Sequence, residues 1–282
     1  MLKKLFHFFI FSSLYIAGCV VLMVYQTNAL LHLHYDFLPC YLFVFFSTIC
    51  SYNFHWYFTP DTPAEEIRIR WTLRHKRLHL FLYITGLIGA VVCAFYFIAH
   101  WFWLGVAVVL TFLYSAPKIP VYPFTLLRKI AVGKTIFLAA VWTYVTSVLP
   151  AIFSTTPWRW GDTVFCISRF FFIYAICIVF DYRDRNADKR EGIRSMITIF
   201  SEQGINRLFW FSQGLFAAGT LALHYWGFSA PVILCLLLPG IILALLYNYS
   251  KHHSSDYLYY FVLDGLMMAS ALFLLFVPIG YI

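Results

Sequence analysis

Charged residues are scarce in this chain. Only 11% of its 282 residues are Asp, Glu, Lys or Arg, whereas 62% are hydrophobic and 21% are aromatic. A soluble domain of this length would have about a quarter of its positions charged. The sequence also contains no polar linker, no low-complexity tail and no repeat of the period found in soluble arrays. The composition therefore excludes an ordinary soluble protein and predicts one polytopic membrane domain over residues 1–282.

Paired cysteines are missing as well. The 7 cysteines stand singly inside apolar segments, without the spacing of a zinc site or of a disulfide framework, so we interpret them as small packing residues. The residues after Cys19 stay apolar, whereas a sequence cleaved there as a signal peptide would turn polar. We therefore expect the N-terminal run to be a first transmembrane helix.

Long apolar runs dominate what is present. Crossing the hydrocarbon layer takes roughly 20 apolar residues as a helix, and runs without alternating polarity do not form barrel strands. Because lipid satisfies no backbone polar group, we predict an all-α integral membrane protein with nine transmembrane helices. The predicted spans are Leu5–Tyr25, Phe37–Phe58, Leu78–Ala99, Trp101–Ser115, Ile130–Phe153, Thr163–Phe180, Leu208–Trp226, Pro231–Tyr249 and Leu258–Ile282.

The basic residues indicate an orientation. With nine spans and a cytoplasmic N-terminus, nearly all Lys and Arg residues between the spans fall on the cytoplasmic side, and only Arg159 falls on the other. The net charge of +8 then meets anionic lipid of the inner leaflet, so we expect the bilayer as a partner and no nucleic acid. We expect a bacterial cytoplasmic membrane as the location.

The first cytoplasmic loop contains a possible binding segment. Asn53, Tyr57 and Asp61 are spaced i, i+4 and i+8, although Pro60 is expected to end the helix near Phe58 or Thr59. Asn53 would then point toward the cavity that the loop covers. An interfacial belt formed by the aromatic residues of this segment explains the pattern equally well.

A second group of polar residues surrounds the fourth loop. Tyr114 and Lys118 lie one helical turn apart, and Lys134 stands just inside the fifth span, where its ammonium group can reach an anion at the membrane edge. Arg128 and Lys129 lie between them. The positive-inside bias alone is sufficient to explain these last two residues.

The sixth span ends in an acidic run. Asp181, Asp184 and Asp188 are spaced i, i+3 and i+7, which predicts three carboxylates on one face of a helix end. Several carboxylate oxygens on one face are what a divalent cation requires. Basic residues are interleaved with these acids, Lys189 among them, so simple surface ion pairing is the alternative.

Two ionisable residues fall within predicted spans. Arg169 lies in the sixth span and Asp264 in the ninth. Each costs at least ~2.5 kcal/mol at the bilayer centre unless it is paired or hydrated. They pair with one another or line a polar cavity, and the sequence leaves both possibilities open.

These motifs resemble a known family. The string from Asp181 to Arg194, with Asp184, Asp188 and Gly192, is similar to the second aspartate-rich motif of the UbiA-type intramembrane prenyltransferases. The segment from Tyr114 to Lys118 looks like the Tyr-x-x-x-Lys element that lies between the two acidic motifs of that family. The order of the motifs and the helix count extend the resemblance over nearly the whole chain.

The resemblance implies a helical bundle around a central cavity, with both acidic motifs at its cytoplasmic mouth. Members of the family use Mg²⁺ to hold an isoprenyl diphosphate and transfer the prenyl group to an aromatic or other lipophilic acceptor. It assigns Asp181, Asp184 and Asp188 as catalytic residues and metal ligands. The substrate-binding residues that we expect are Asn53, Asp61, Tyr114, Lys118, Arg128, Lys134 and Lys189.

One motif departs from the family pattern. The first motif of the family reads Asn-Asp-x-x-Asp-x-x-x-Asp, and over Asn53–Asp61 this chain has Phe54 and Tyr57 in place of the two inner aspartates. A phenyl ring cannot bind a metal, and a neutral phenol binds one poorly. Three functions therefore stay open, in this order: a prenyltransferase with a reduced metal site, a non-catalytic protein of the same fold that binds an isoprenoid or lipid, and a small transporter.

Overall fold

All regular structure in the described residues is helical. The computed structural model describes residues 1–59, 66–115, 133–190 and 195–277. We number the α-helices in chain order: α1 Leu2–Phe11, α2 Leu14–Leu30, α3 Phe37–Tyr57, α4 Ile67–Arg74, α5 Lys76–Ala94, α6 Trp101–Ser115, α7 Lys134–Thr143, α8 Leu149–Phe153, α9 Trp160–Arg190, α10 Met196–Ile199, α11 Glu202–Ala222, α12 Ala230–His252 and α13 Asp264–Leu274. Short 3₁₀ or π segments follow α5, α7 and α11 and precede α13.

Five helical stretches of the described chain are long and apolar enough to cross a membrane. They are Phe37–Tyr57, Lys76–Tyr114, Lys134–Phe153, Trp160–Arg190 and Ala230–His252. Helices α1 and α2 meet at an angle of 57° and make a sixth if the bent pair is one span. The chain is therefore a helical membrane protein, and the count of nine transmembrane helices stays a prediction.

The predicted first span, a single helix over Leu5–Tyr25, is divided by a bend into α1 and α2. The break falls at Ser12 and Ser13, and Ser13 has a φ of 71°, which interrupts the helix. Both serines are fully buried. The carbonyl oxygen of Ser12 accepts a hydrogen bond from the Asn53 amide, so the break is a contact point between α1 and α3.

The stretch Lys76–Tyr114 folds back on itself. His79 near its start hydrogen-bonds to Asn53, and Tyr114 at its end stacks on His55, only two residues further along α3. A straight helix would hold the two ends roughly 50 Å apart. The chain therefore reverses between α5 and α6, in the 3₁₀ segment Phe95–His100, close to the predicted boundary at His100.

Helices α3 and α5 pack closely. A Cβ atom at Gly86 would lie 2.6 Å from the Cys50 backbone nitrogen, so only glycine permits this approach. Small residues at such crossings are the usual device of membrane helices, because packing and not the hydrophobic effect holds them together. This contact fixes α3, which carries one wall of the site described below.

The longest helix, α9, runs through the protein interior. The Arg169 guanidinium is buried at its centre and donates from Nη1 to oxygens of α2 and of the π segment Tyr144–Val148, at 2.5–3.2 Å. Its Nη2 donates to Gln26 Oε1. Neutral oxygens thus stabilise this charge, and among the described residues Arg169 forms no ion pair with Asp264. The pairing with Asp264 that the sequence left open is therefore not formed in the described chain, and these hydrogen bonds give the buried Arg169 a structural role.

Candidate functional site

The acidic run is helical throughout. Helix α9 continues to Arg190, ten residues beyond the predicted end of the sixth span at Phe180. On a helix of 3.6 residues per turn, Asp181 and Asp188 share one face, and Asp184 lies roughly 60° around the axis. Asp181 and Asp188 are each 8% exposed, so both carboxylates leave bulk water.

Lys134 stands between these two buried carboxylates. It is the first residue of α7, and its Nζ lies 3.6 Å from Asp181 Oδ1 and 3.9 Å from Asp188 Oδ2. The neighbouring Thr135 hydroxyl donates a hydrogen bond to Asp181 Oδ2. The start of α7 therefore supplies a cation and a hydroxyl to the acidic face of α9, which the spacing of the sequence could not specify.

Asp184 takes a different partner. Its Oδ1 accepts a hydrogen bond of 2.9 Å from Arg183 Nε, and Arg183 Nη2 donates to the Tyr260 hydroxyl at 3.0 Å. No three His, Cys, Asp or Glu side chains of the described residues converge as a metal site would require. Within the described chain the three aspartates therefore interact with two cations, Lys134 and Arg183, and their role as metal ligands stays a prediction.

Tyr114 joins the group around Lys134. Its hydroxyl is within electrostatic range of Lys134 and Asp181, and its ring is parallel to the His55 ring with centroids 5.8 Å apart. Four predicted site residues, Tyr114, Lys134, Asp181 and Asp188, are thus brought together from three helices. We call these four residues the Lys134 cluster.

Other predicted site residues lie elsewhere. Lys189 is exposed in the last turn of α9. Asp61, Lys118 and Arg128 lie outside the described residues.

Asn53 is not directed at a cavity as the sequence predicted. It is fully buried; its Nδ2 donates to the carbonyl oxygens of Ile49 and Ser12, and its Oδ1 lies 2.6 Å from His79 Nδ1. The next residue, Phe54, packs against the rings of Phe58 and Tyr83. This face of α3 is occupied by contacts with the neighbouring helices.

A different face of α3 meets the site. Tyr52 contacts the Trp142 ring of α7, His55 stacks on Tyr114, and Trp56 lies beside Tyr260. The spacing i, i+3 and i+4 places Tyr52, His55 and Trp56 on one side of the helix. Sequence reasoning assigned Tyr52 and Trp56 only to an interfacial belt, although this spacing was the available signal.

Two arginines lie close to the Tyr260 ring. The Arg68 guanidinium carbon lies 5.2 Å from the Tyr260 ring centroid and 4.1 Å from that of Trp56, and the Arg183 carbon lies 5.0 Å from the Tyr260 centroid. Burial in α4 lowers the pKa of Arg68 to about 10, far enough above neutrality for the side chain to stay charged. Sequence reasoning used Arg68 only as one of the basic residues that indicate the topology, because nothing in its spacing predicts this contact.

Asp264 lies near these two arginines. It follows the π segment Leu258–Leu263, is partly accessible, and within the described chain makes no hydrogen bond or ion pair. Arg68 and Arg183 act on it electrostatically, and Tyr52 is within the same range. The Asp264 carboxylate at the start of α13 therefore lies near polar or charged side chains of α3, α4 and α9.

Comparison with known proteins gives one positive finding. Curated proteins yield no match. A family model described as the UbiA prenyltransferase family matches residues 69–270, a segment that includes Tyr114, Lys134 and the acidic run but begins after the first-motif segment of α3. Since the match covers more than half of the chain, this protein belongs to the UbiA prenyltransferase family.

Proposed function

We propose that this protein transfers an isoprenyl group from a prenyl diphosphate to a lipophilic acceptor of aromatic or quinone type. The observation that carries the proposal is the Lys134 cluster, set in a membrane protein of this family. A cation held between two buried carboxylates, with a phenol nearby, suits a strongly anionic leaving group that must be bound and then stabilised.

Lys134 is the residue to which we assign the diphosphate. One third of its side chain is exposed, so an incoming anion can approach the ammonium group while the carboxylates hold it in place. Positive charge that meets the developing negative charge of the departing diphosphate lowers the barrier to ionisation. The Tyr114 hydroxyl is a further hydrogen-bond donor on the same side.

The carboxylate oxygens of the acidic run are compatible with Mg²⁺ binding. This ion commonly binds through one or two carboxylates together with substrate phosphates, and does not require a complete protein cage. Asp181 and Asp188 would hold it, with Asp184 adjacent on the same helix. When bound, Mg²⁺ would neutralise diphosphate charge and so assist its departure.

The aromatic face of α3 suits the hydrophobic part of the reaction. Tyr52, His55 and Trp56 line one wall, and Trp142 of α7 continues it. Aromatic rings shield an allylic cation from water and stabilise it through their negative faces. Asp264, on the far side, can accept a hydrogen bond from the hydroxyl group of an acceptor and orient it.

A membrane assay tests the proposal. Membranes containing the protein are incubated with labelled prenyl diphosphates of several lengths and a set of phenolic and quinone acceptors, with and without Mg²⁺. We expect Mg²⁺-dependent product that is lost in Asp181→Asn and retained in Arg207→Gln, which removes an exposed charge of α11. Equal turnover in Asp181→Asn and wild type would reject the assignment.

A non-catalytic role is the second candidate. It is favoured by the aromatic and amide side chains where the first acidic motif would stand, and by the sharing of the three aspartates between Lys134 and Arg183. This candidate predicts saturable binding of a prenyl diphosphate or isoprenoid without product. Restoring the two inner aspartates of the family motif, by Phe54→Asp with Tyr57→Asp, is a weak test because Phe54 packs against α5. The more informative variant is His55→Asp, because His55 faces Tyr114.

The transporter hypothesis was motivated by the two ionisable residues within predicted spans, Arg169 and Asp264, and the structure leaves only Asp264 in its support. The charge of Arg169 is satisfied by oxygens of α2 and of the π segment, so its burial has a structural explanation. Asp264 alone remains, and the site geometry offers it a role in the transferase.

A further inference from the structure

A polar cavity lies beside the end of α9. It encloses about 240 Å³ between the end of α9 and the end of α12, and its lining includes Arg183, Arg185, Asn186, Lys251, His252 and Tyr259. None of the four residues of the Lys134 cluster is among its described lining residues, so this cavity is separate from that cluster. We call it the α9–α12 pocket.

The pocket is positively charged. Three cationic side chains line it, and none of the described lining residues is acidic. Two acids stand just outside: Glu202 Oε1 lies 2.7 Å from Lys251 Nζ, and Asp184 Oδ1 accepts from Arg183 Nε. Since Arg185 has no carboxylate partner within the described chain, an excess of positive charge is concentrated in a small space.

Each of the two arginines has a buried side-chain nitrogen that forms no hydrogen bond within the described chain. The Arg183 side chain is only 8% exposed, and its Nη1 has no hydrogen-bond partner among the described residues. Arg185 donates from Nη2 to the Phe200 carbonyl oxygen, but its buried Nε likewise lacks a partner there. Leaving such groups unsatisfied is costly, and a bound anion would relieve both the repulsion and the unmet donors.

The size and chemistry of the pocket indicate the class of ligand. Pockets for drug-sized molecules enclose roughly 300–1,000 Å³, so this one suits a smaller group. Two guanidinium groups and an ammonium group are the side chains that proteins use for phosphate. Tyr259, beneath Arg183 at 4.5 Å from guanidinium carbon to ring centroid, holds one arginine in place.

We propose that the α9–α12 pocket binds a phosphate-bearing anion at a site distinct from the Lys134 cluster. The phosphate group belongs to a lipid headgroup or to a free phosphate compound, and both present the same oxygens to the arginines. Occupancy would tie the end of α9 to α12, and thereby stabilise the helix that carries the acidic run.

The unfolding temperature of the purified full-length protein in detergent tests the site. Two probes are titrated: inorganic phosphate, against chloride at equal ionic strength, and short-chain phosphatidylglycerol, against phosphatidylcholine. We expect a saturable rise, because a ligand that binds only the folded state stabilises it. A rise with phosphatidylglycerol alone identifies the lipid headgroup, and a rise with inorganic phosphate shows that the phosphate group is sufficient.

Matched variants locate the binding. Arg185→Gln and Lys251→Gln should each weaken the apparent affinity roughly tenfold, the usual loss for one charge-assisted contact. Arg207→Gln on the exposed face of α11 should leave it unchanged. Because each variant is compared with its own ligand-free unfolding temperature, a variant that is merely less stable is still informative, and Arg185→Lys should recover part of the affinity.

Three results would overturn the proposal. The first is no rise with either probe beyond its control. The second is an undiminished response in both Arg185→Gln and Lys251→Gln. The third is loss of the response in Lys134→Gln, which would place the anion at the Lys134 cluster and leave the proposed transferase function untouched.

Discussion

Replacing Lys134 by methionine removes a cation that lies between Asp181 and Asp188 while keeping a long side chain at the start of α7. In the wild type its Nζ is 3.6 and 3.9 Å from the two carboxylate groups. The variant takes this counter-charge away from two buried carboxylates. The effect on stability and the effect on activity have different sizes, which allows them to be separated.

The stability cost should be moderate. Breaking a fully buried ion pair costs about 3–5 kcal/mol. One third of the Lys134 side chain is exposed, so solvent screens part of the interaction and we expect about 1–2 kcal/mol. The midpoint of thermal unfolding in detergent measures this loss.

The loss of activity should be larger. Removing a positioned group that stabilises developing negative charge typically lowers turnover by roughly 10²–10³-fold. We therefore expect single-turnover release of labelled diphosphate in proteoliposomes to fall by that factor at saturating donor. Lys134→Arg should restore a substantial part of it, since the charge is retained. In the methionine variant, half-maximal rate should need less Mg²⁺, because the metal no longer competes with an ammonium group for the same oxygens.

A Lys134→Met rate within twofold of wild type, at equal amounts of folded protein, would refute the reasoning. It would mean that the ammonium group only neutralises the acidic face of α9. An equal loss in the methionine and arginine variants would point instead to a packing defect at the start of α7.

Three further outcomes follow from the geometry. Asp181→Asn should lower prenyl transfer more than Asp184→Asn in the same membrane assay, because Asp181 contacts Lys134 and Thr135 whereas Asp184 pairs with Arg183. Equal losses in the two variants would show that all three acids act together. Gly86→Ala should lower the unfolding temperature in detergent, because the added Cβ lies 2.6 Å from the Cys50 nitrogen, whereas Gly105→Ala, with open space around its Cβ, should change it little. Arg169→Met should destabilise the protein by roughly 1–3 kcal/mol through the acceptors it leaves unsatisfied, without altering transfer per folded molecule; a selective loss of turnover would contradict its structural role.

The sequence was most informative where a pattern has a local cause. Pro60 predicted that α3 ends near Phe58 or Thr59, and the helix ends at Tyr57. The spacing of Asp181, Asp184 and Asp188 predicted a helix end bearing acids, and α9 continues through all three. Each of these features depends on residues within a few positions of one another.

The same reasoning was misleading where the relevant contact is between helices. The alignment of the first family motif on Asn53–Asp61 made Asn53 a candidate substrate-binding residue. Its side-chain amide instead forms hydrogen bonds with Ser12, Ile49 and His79. Tyr52, His55 and Trp56 face the site instead. Which face of α3 turns inward is decided by its close packing on α5, and a single sequence contains no signal of that packing.

The sequence by itself determined the lipid environment, the helical fold class and the family, since a low content of charge, long apolar runs and closely spaced motifs are local properties of the chain. Only the tertiary structure decided which charges meet. Lys134 is 47 residues from Asp181, and Arg68 lies far along the chain from both Arg183 and Tyr260, yet these groups are in contact or nearly so. Electrostatic interactions in a bundle depend on distance through space, and that distance is set by how the helices pack.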